Sequence, residues 1–246
     1  MKKYALSSKL LHCFGSERGE KVTPKLAADM IKASGIREIP INTHTIDSVS
    51  DWKDLKLGYG DATWNTVSEF IDLSEYTPLW NINLPLNAKD AILRAEKAVS
   101  LGGNYPIKFE VLDEGFRWSN NNEVLKGVDY LVNTDNLIVW PLIAPDYVTF
   151  KQLEEWGCEV IRVMGSPISS KKGILKENME VIQKILRNKK CSVMLDGGIG
   201  SISDIKQAFS MGFDFVLVNS WLFSDNVDAV EILKSIKAEL SEGIVS

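Results

Sequence analysis

Short apolar runs recur along the chain, separated by longer stretches whose apolar residues fall three and four apart. The runs at 9–14, 38–42, 78–82, 106–112, 137–143, 160–164, 192–196 and 215–219 read as strands, and their near-continuous apolar character reads as burial on both faces. The intervening periodicity predicts helices over 24–33, 87–101, 122–131, 147–156, 175–186, 203–211 and 227–240, with a weaker pattern over 63–71. Thr23 and Asn87 stand where helix caps are needed, and Pro24 occupies a first helical position. Strands that alternate with helices pair in parallel, because a parallel pair needs a long crossover. Eight such units in 246 residues fit one (β/α)8 TIM barrel, an α/β fold occupying residues 1–246 as a single domain. A doubly wound open sheet is the alternative. It calls for a GxGxxG turn after the first strand, and Gly15-Ser16-Glu17-Arg18-Gly19 is not one.

The barrel reading gives the strand tips a meaning, since active sites of this architecture lie at the C-terminal ends of the strands. That rule selects Asn42, Asn81, Glu110, Pro141, Gly165, Asp196 and Asn219. The fourth strand, Ile107-Lys108-Phe109-Glu110-Val111-Leu112, carries an unusual charge at its middle. An isolated buried ammonium tends to lose its proton, and a neutral amine attacks a ketone or aldehyde to give an imine. Lys108 and Glu110 lie two apart and share a face. The two serve as an imine-forming lysine with a proton-handling carboxylate, or as a structural ion pair.

Leu195-Asp196-Gly197-Gly198-Ile199-Gly200 follows the seventh strand, with Ser203 and Asp204 opening the next helix. Glycines let backbone N–H groups approach an anion, and a helix N-terminus adds a favourable dipole. With Val218-Asn219-Ser220 after strand eight, the loop reads as a phosphate cradle; a plain tight turn is the alternative. Asp196 serves there as an acid/base or as a cap. Met164 to Ile174, rich in turn formers, reads as a lid or an ordinary connecting loop.

Composition narrows the field. The net charge is −5 with no basic face, which disfavours nucleic acid. No apolar run approaches a membrane span, and Met1-Lys2-Lys3-Tyr4-Ala5-Leu6 lacks the core of a signal peptide. Cys13, Cys158 and Cys191 are dispersed, which suggests reduced thiols in a cytoplasmic protein, filling core space. His12 and His44 have no partner at metal-ligand spacing, so no metal or other cofactor is expected; His44 suits a surface position. Trp80, Trp118, Trp140 and Trp221 read as packing residues.

Taken together these segments resemble the thiazole synthase family, from about Leu11 to Ile232. Residues 107–112 resemble its lysine strand, and Asp72-Leu73-Ser74-Glu75-Tyr76-Thr77 with Asn81 its DLSKYTLLPN segment. Leu153-Glu154-Glu155-Trp156-Gly157-Cys158 resembles its LEEAGC. Gly165-Ser166-Pro167-Ile168, Asp196-Gly197-Gly198-Ile199-Gly200 and Val218-Asn219-Ser220 match further motifs in the same order. The resemblance implies condensation of 1-deoxy-D-xylulose 5-phosphate with dehydroglycine, with sulfur arriving as the C-terminal thiocarboxylate of a small ubiquitin-like carrier protein. It implies that Lys108 forms the substrate imine, that Glu110 and Asp196 move protons, and that Ser169, Gly197, Gly198, Asn219 and Ser220 hold the phosphate. A homo-oligomer is implied as well.

Departures from the family pattern gather on the substrate side. Ile41-Asn42-Thr43-His44 stands where the family carries an arginine pair, and Asn81-Ile82-Asn83-Leu84-Pro85 replaces an NTAG turn. Ser169 replaces a glycine, Ser170-Lys171-Lys172-Gly173 adds two positive charges, and Gly197 replaces an alanine. The sequence also ends at Ser246, without the family's longer tail. These differences leave a paralogue open, one inserting sulfur into another sugar phosphate, as in a thiosugar pathway. A non-catalytic sugar-phosphate-binding barrel and an aldolase-like barrel using the same lysine remain alternatives.

Overall fold

The structure, a computed structural model, describes residues 6–15 and 21–241. The Met1–Ala5 stretch, the Ser16-Glu17-Arg18-Gly19 turn and the end at Ser246 lie outside them. Eight strands run in parallel: β1 (Leu10–His12), β2 (Glu38–Asn42), β3 (Thr77–Ile82), β4 (Ile107–Phe109), β5 (Val139–Ile143), β6 (Val160–Val163), β7 (Ser192–Asp196) and β8 (Phe215–Val218). Their order around the sheet is β1-β8-β7-β6-β5-β4-β3-β2, the order of a (β/α)8 barrel. The helices are α1 (Pro24–Ser34), α2 (Trp64–Val67), α3 (Ala88–Gly102), α4 (Asn121–Asp129), α5 (Tyr147–Glu155), α6 (Met179–Asn188), α7 (Ile202–Met211) and α8 (Ala229–Ser241).

Caps fix where most helices begin. Thr23 accepts from the Leu26 amide and Asn87 from the Asp90 amide, and Pro24 starts α1 as expected. The weak pattern over 63–71 yields only the four-residue α2, held by a capping box between Thr63 and Thr66. Beyond it Ser68 to Ile71 turns without continuing, and an exposed Phe70 gives that face little to bury. The fourth strand is shorter than its apolar run: the β4–β5 ladder ends at Phe109, while Glu110 still donates its amide to Ile82 of β3.

The apolar side chains divide into two layers. Most pack between the sheet and the surrounding helices. A separate inner cluster of Leu11, Leu79, Trp140, Val160, Met194 and Leu217 plugs the barrel. Trp80 and Trp140 are fully buried, in keeping with a packing role. Two residues further along several strands the inward position turns polar or charged: Leu79 gives way to Asn81, Val160 to Arg162, Met194 to Asp196, Leu217 to Asn219. The plug therefore forms a floor beneath a polar layer.

Among the described residues no ladder joins β1 directly to β2. The chain that follows β2 closes that seam. Asn42 donates its amide to Lys56, Tyr59 donates to Phe14, and Val22 and Tyr59 are bonded in turn. The fit is close enough to require glycine, since a Cβ at Gly58 would lie 1.8 Å from the Phe14 carbonyl oxygen.

On the outer side of β1, His12 is fully buried against α1. A neutral ring with Nδ1 as donor to the Cys13 carbonyl (3.2 Å) leaves Nε2 to accept from the Ser34 hydroxyl (3.0 Å). Burial pulls the ring's pKa from 6.5 down to about 4. Between those values the unfolded chain takes up a proton that the folded chain refuses, so this contribution to stability is complete above the upper value and lost on descending to the lower. The expected loss is on the order of 3 kcal/mol, at about 1.4 kcal/mol per unit. Urea midpoints measured at about pH 7 and pH 4.5 should differ less for His12→Gln than for the native chain; equal differences would contradict this account.

Candidate active site

The polar layer above the plug holds four charges. Lys108 projects inward from the middle of β4, beside Asn81 in the β3–β4 register. Its Nζ donates to Asn81 Oδ1 at 3.0 Å and lies 3.5 Å from Glu110 Oε2. Arg162, inward on β6, reaches across: its Nη2 is 3.6 Å from the same Glu110 oxygen, and its Nε is 3.4 Å from Asp196 Oδ2 at the tip of β7. Exposure is 5% for Lys108, 7% for Glu110, 9% for Asp196 and 0% for Arg162, so the first three border the barrel mouth and the arginine lies behind them. Charges this deep persist only when paired. The predicted Lys108–Glu110–Asp196 set is thus brought together in one chamber.

Cys13 belongs to this neighbourhood too. Burial pushes its thiol up, while its charge interactions are with Lys108, Asp196, Arg162 and Glu110. It stands by the site as a neutral thiol. Cys158 and Cys191 are likewise pushed up by burial, and both lie at the opposite ends of their strands from this layer, one before β6 and one before β7.

The loops after β6, β7 and β8 stack over one another beside the chamber. Gly165 donates its amide to Gly197, and Gly173 donates to Gly198 at 2.7 Å. Ser166 Oγ and Ser170 Oγ are 2.8 Å apart. Lys171 spans the group, its Nζ donating to Ser224 Oγ at 2.8 Å, and Ser224 Oγ donates to the Ser220 carbonyl. Ser169 is exposed at the loop's crest with φ +62°. Asn219 donates through Nδ2 to the Gly15 carbonyl, and its buried Oδ1 has no hydrogen-bond partner among the described residues. The N-terminus of α7 is capped by its own chain. Ser201 Oγ accepts from the Asp204 amide, and the Asp204 carboxylate already accepts from the Gly200 amide and the Ser201 hydroxyl. The Gly197–Gly198 turn therefore enters a helix end whose Asp204 amide is already taken, while Lys171 stands beside Gly200.

His44 is exposed after β2, bonded to Asn42 Oδ1 through Nδ1 at 2.7 Å and stacked on Tyr59. Among the described residues there is no group of three His, Cys, Asp or Glu side chains able to hold a metal, and no helix is long and apolar enough to cross a membrane. Sequence reasoning missed Arg162. The signal was present, because a charge inside Val160-Ile161-Arg162-Val163 obeys the same logic as Lys108 in its strand.

Chemically the chamber can offer an amine, two carboxylates beside it, and an anion corner one loop away. Three comparisons bear on it. The model of the family described as thiazole biosynthesis protein ThiG matches residues 56–246. A thiazole synthase of Gracilaria tenuistipitata var. liui is 37% identical over 173 residues, 69% of this chain and 55% of that protein. One from Vibrio campbellii is 31% identical over 226 residues, covering 92% and 82%. The chain thus spans little more than half the length of the Gracilaria relative, and 63% of a third, from Citrifermentans bemidjiense. Among solved structures, the Amycolatopsis orientalis BexX/CysO complex superposes with a TM-score of 0.82 at 21% identity over 100% of this chain and 93% of the other. A mandelate oxidase superposes at 0.57 and 14% identity, over 90% of this chain and 66% of that one. At such identities both show the fold.

Gly198 tests the anion corner. Its φ is +102°, and a Cβ there would come within 2.3 Å of the Gly173 carbonyl oxygen and Ser166 Oγ. Strain of this kind costs about 1–3 kcal/mol, which should weaken inorganic phosphate binding by roughly tenfold or more in Gly198→Ala. Titration calorimetry with unchanged affinity would remove this loop from the site.

Proposed function

The chain belongs to the thiazole biosynthesis protein ThiG family, and on that premise we propose that it joins sulfur to a ketose phosphate through an imine on Lys108. The observation that carries the reading is the chamber itself: one lysine amine, held by Asn81, with Glu110 3.5 Å from its nitrogen and Asp196 linked through Arg162. An amine in that position attacks the ketone carbon; water leaves and a C=N bond replaces C=O. Forming the imine requires a proton to leave nitrogen and another to reach the departing oxygen, and Glu110 is the near carboxylate for the first. Moving the double bond along the sugar requires removal of a proton from the neighbouring carbon, work suited to a second carboxylate such as Asp196. The phosphate lies with Gly197, Gly198, Asn219 and Ser220, with Ser169 on the loop above. Anchoring that distant group holds the carbonyl against the amine, which converts binding into orientation.

By family membership the substrates are 1-deoxy-D-xylulose 5-phosphate and dehydroglycine, which supplies the ring nitrogen and its adjoining carbon, the product is thiamin thiazole phosphate, and the sulfur donor is a thiocarboxylate on a small ubiquitin-like carrier. A neighbour solved as a two-protein complex, BexX with CysO, supports a protein partner. A cytoplasmic homo-oligomer fits the same reading. A second reading keeps the chemistry and changes the sugar phosphate. It is favoured by the residues around the chamber mouth, where His44 with Asn42, and Lys171 bonded to Ser224, contribute groups that differ from the family pattern.

Borohydride added with 1-deoxy-D-xylulose 5-phosphate should fix the sugar to the peptide containing Lys108, read by mass spectrometry. Lys108→Ala should trap nothing, and Glu110→Gln should slow trapping by about 10²–10⁴-fold. Trapping with another ketose phosphate alone would select the second reading. The absence of an adduct with any pentulose or hexulose phosphate would discard both.

A further inference from the structure

Arg162 is fully buried, yet among the described residues its Nε and Nη1 atoms have no hydrogen-bond partner, and neither does Asp196 Oδ2. Buried guanidinium donors left without partners are costly. A barrel interior of leucine, valine, methionine and tryptophan would pack an apolar residue at β6 more cheaply. What the arginine does is visible in its contacts. It faces one oxygen of each carboxylate, Glu110 Oε2 at 3.6 Å and Asp196 Oδ2 at 3.4 Å, and Nη2 also donates to the Phe109 carbonyl at 3.5 Å. Three elements are thereby tied together: β6, the end of β4 and the tip of β7. These distances exceed a tight charge-assisted hydrogen bond, and such contacts commonly shorten when substrate closes a site.

We propose that Arg162 is a positioning residue that clamps Glu110 and Asp196 on one oxygen each, so that the remaining oxygens, Oε1 and Oδ1, stand in fixed places for proton transfer. The proposal rests on the imine reading of Lys108. Lys108 itself faces the clamped oxygen of Glu110, at 3.5 Å, so the arginine and the lysine share one acceptor. The other groups facing this cluster are Cys13, directly after β1, and Asn81 from β3, neither of which supplies a permanent charge. Without the arginine, two carboxylates would face a single cation. Both would turn toward Lys108 and lose the separation that lets one act at nitrogen and the other at carbon.

The test separates imine formation from proton transfer at carbon. In deuterium oxide with 1-deoxy-D-xylulose 5-phosphate, the native chain, Arg162→Gln and Arg162→Lys are compared for borohydride-trapped adduct and for deuterium taken up at the carbon beside the imine. Arg162→Gln should trap within about threefold of the native amount while deuterium uptake falls roughly 10²-fold, with Arg162→Lys recovering part of it. Native-rate uptake in Arg162→Gln overturns the proposal, as do trapping and uptake that fall in proportion with no recovery in Arg162→Lys. A second measurement needs no variant at residue 162. The ¹⁵N resonances of the Arg162 guanidinium should move in both Glu110→Gln and Asp196→Asn; if they ignore both, the clamp does not exist in solution. A native chain that traps no sugar phosphate would instead refute the proposed function, and the resonances would still decide the clamp.

Discussion

The ion pairs linking Lys108 and Arg162 to Glu110, and Arg162 to Asp196, set the terms for everything else in the barrel. A charge taken out of water must meet its opposite, and breaking one such buried contact costs about 3–5 kcal/mol because the partner is left uncompensated. Two cations and two carboxylates satisfy that condition locally. They also explain the division of the interior. The apolar plug excludes water from below, so the charges interact across a medium less screening than solvent, and only the mouth remains for a ligand. Fold and proposed chemistry therefore share one arrangement, and the side chains that make the interior polar are the ones the proposed imine chemistry would use.

The anion corner obeys a different economy. Its loops are held by backbone bonds between Gly165 and Gly197 and between Gly173 and Gly198, with few side chains involved. Close stacking of this kind excludes a Cβ, as the contacts at Gly198 show, and it ties the loops after β6 and β7 to each other through their backbones. Lys171 extends the same unit to the loop after β8 through Ser224. Proximity to the chamber follows from barrel topology, since β7 supplies both Asp196 at its tip and Gly197 directly after it.

Much of this was legible in the sequence, for identifiable reasons. All eight strands showed as apolar runs because parallel strands are buried on both faces, and α1 and α3 were fixed at Thr23 and Asn87 by their caps. Lys108, Glu110 and Asp196 stood out because charge inside an apolar run is costly. Arg162 met the same criterion and was overlooked, since it is the penultimate residue of its strand and lies outside the loop motifs. The short α2 and the early end of the β4–β5 ladder were not legible, because both depend on which neighbours a segment meets rather than on its own pattern. The internal capping of α7 by Asp204 was likewise hidden: the aspartate was visible at the helix start, but its return to the Gly200 amide is a matter of geometry.

The seam between β1 and β2 carries a consequence of its own. Seven strand pairs are zipped by regular ladders, and the eighth junction is fastened by the 56–60 segment, whose Gly58 lies against the Phe14 backbone. Such a ring is topologically a curled ribbon with a clasp. Its ribbon can form from successive local pairings, each joining neighbours in sequence, and the clasp is local too, tying 56–60 to Phe14 and Val22; only the β1–β8 ladder brings the two ends of the chain round. Strand β1 is thus held twice, by its ladder to β8 and by the clasp, and both fastenings have to be in place before Lys108, Glu110, Arg162 and Asp196 are surrounded on every side.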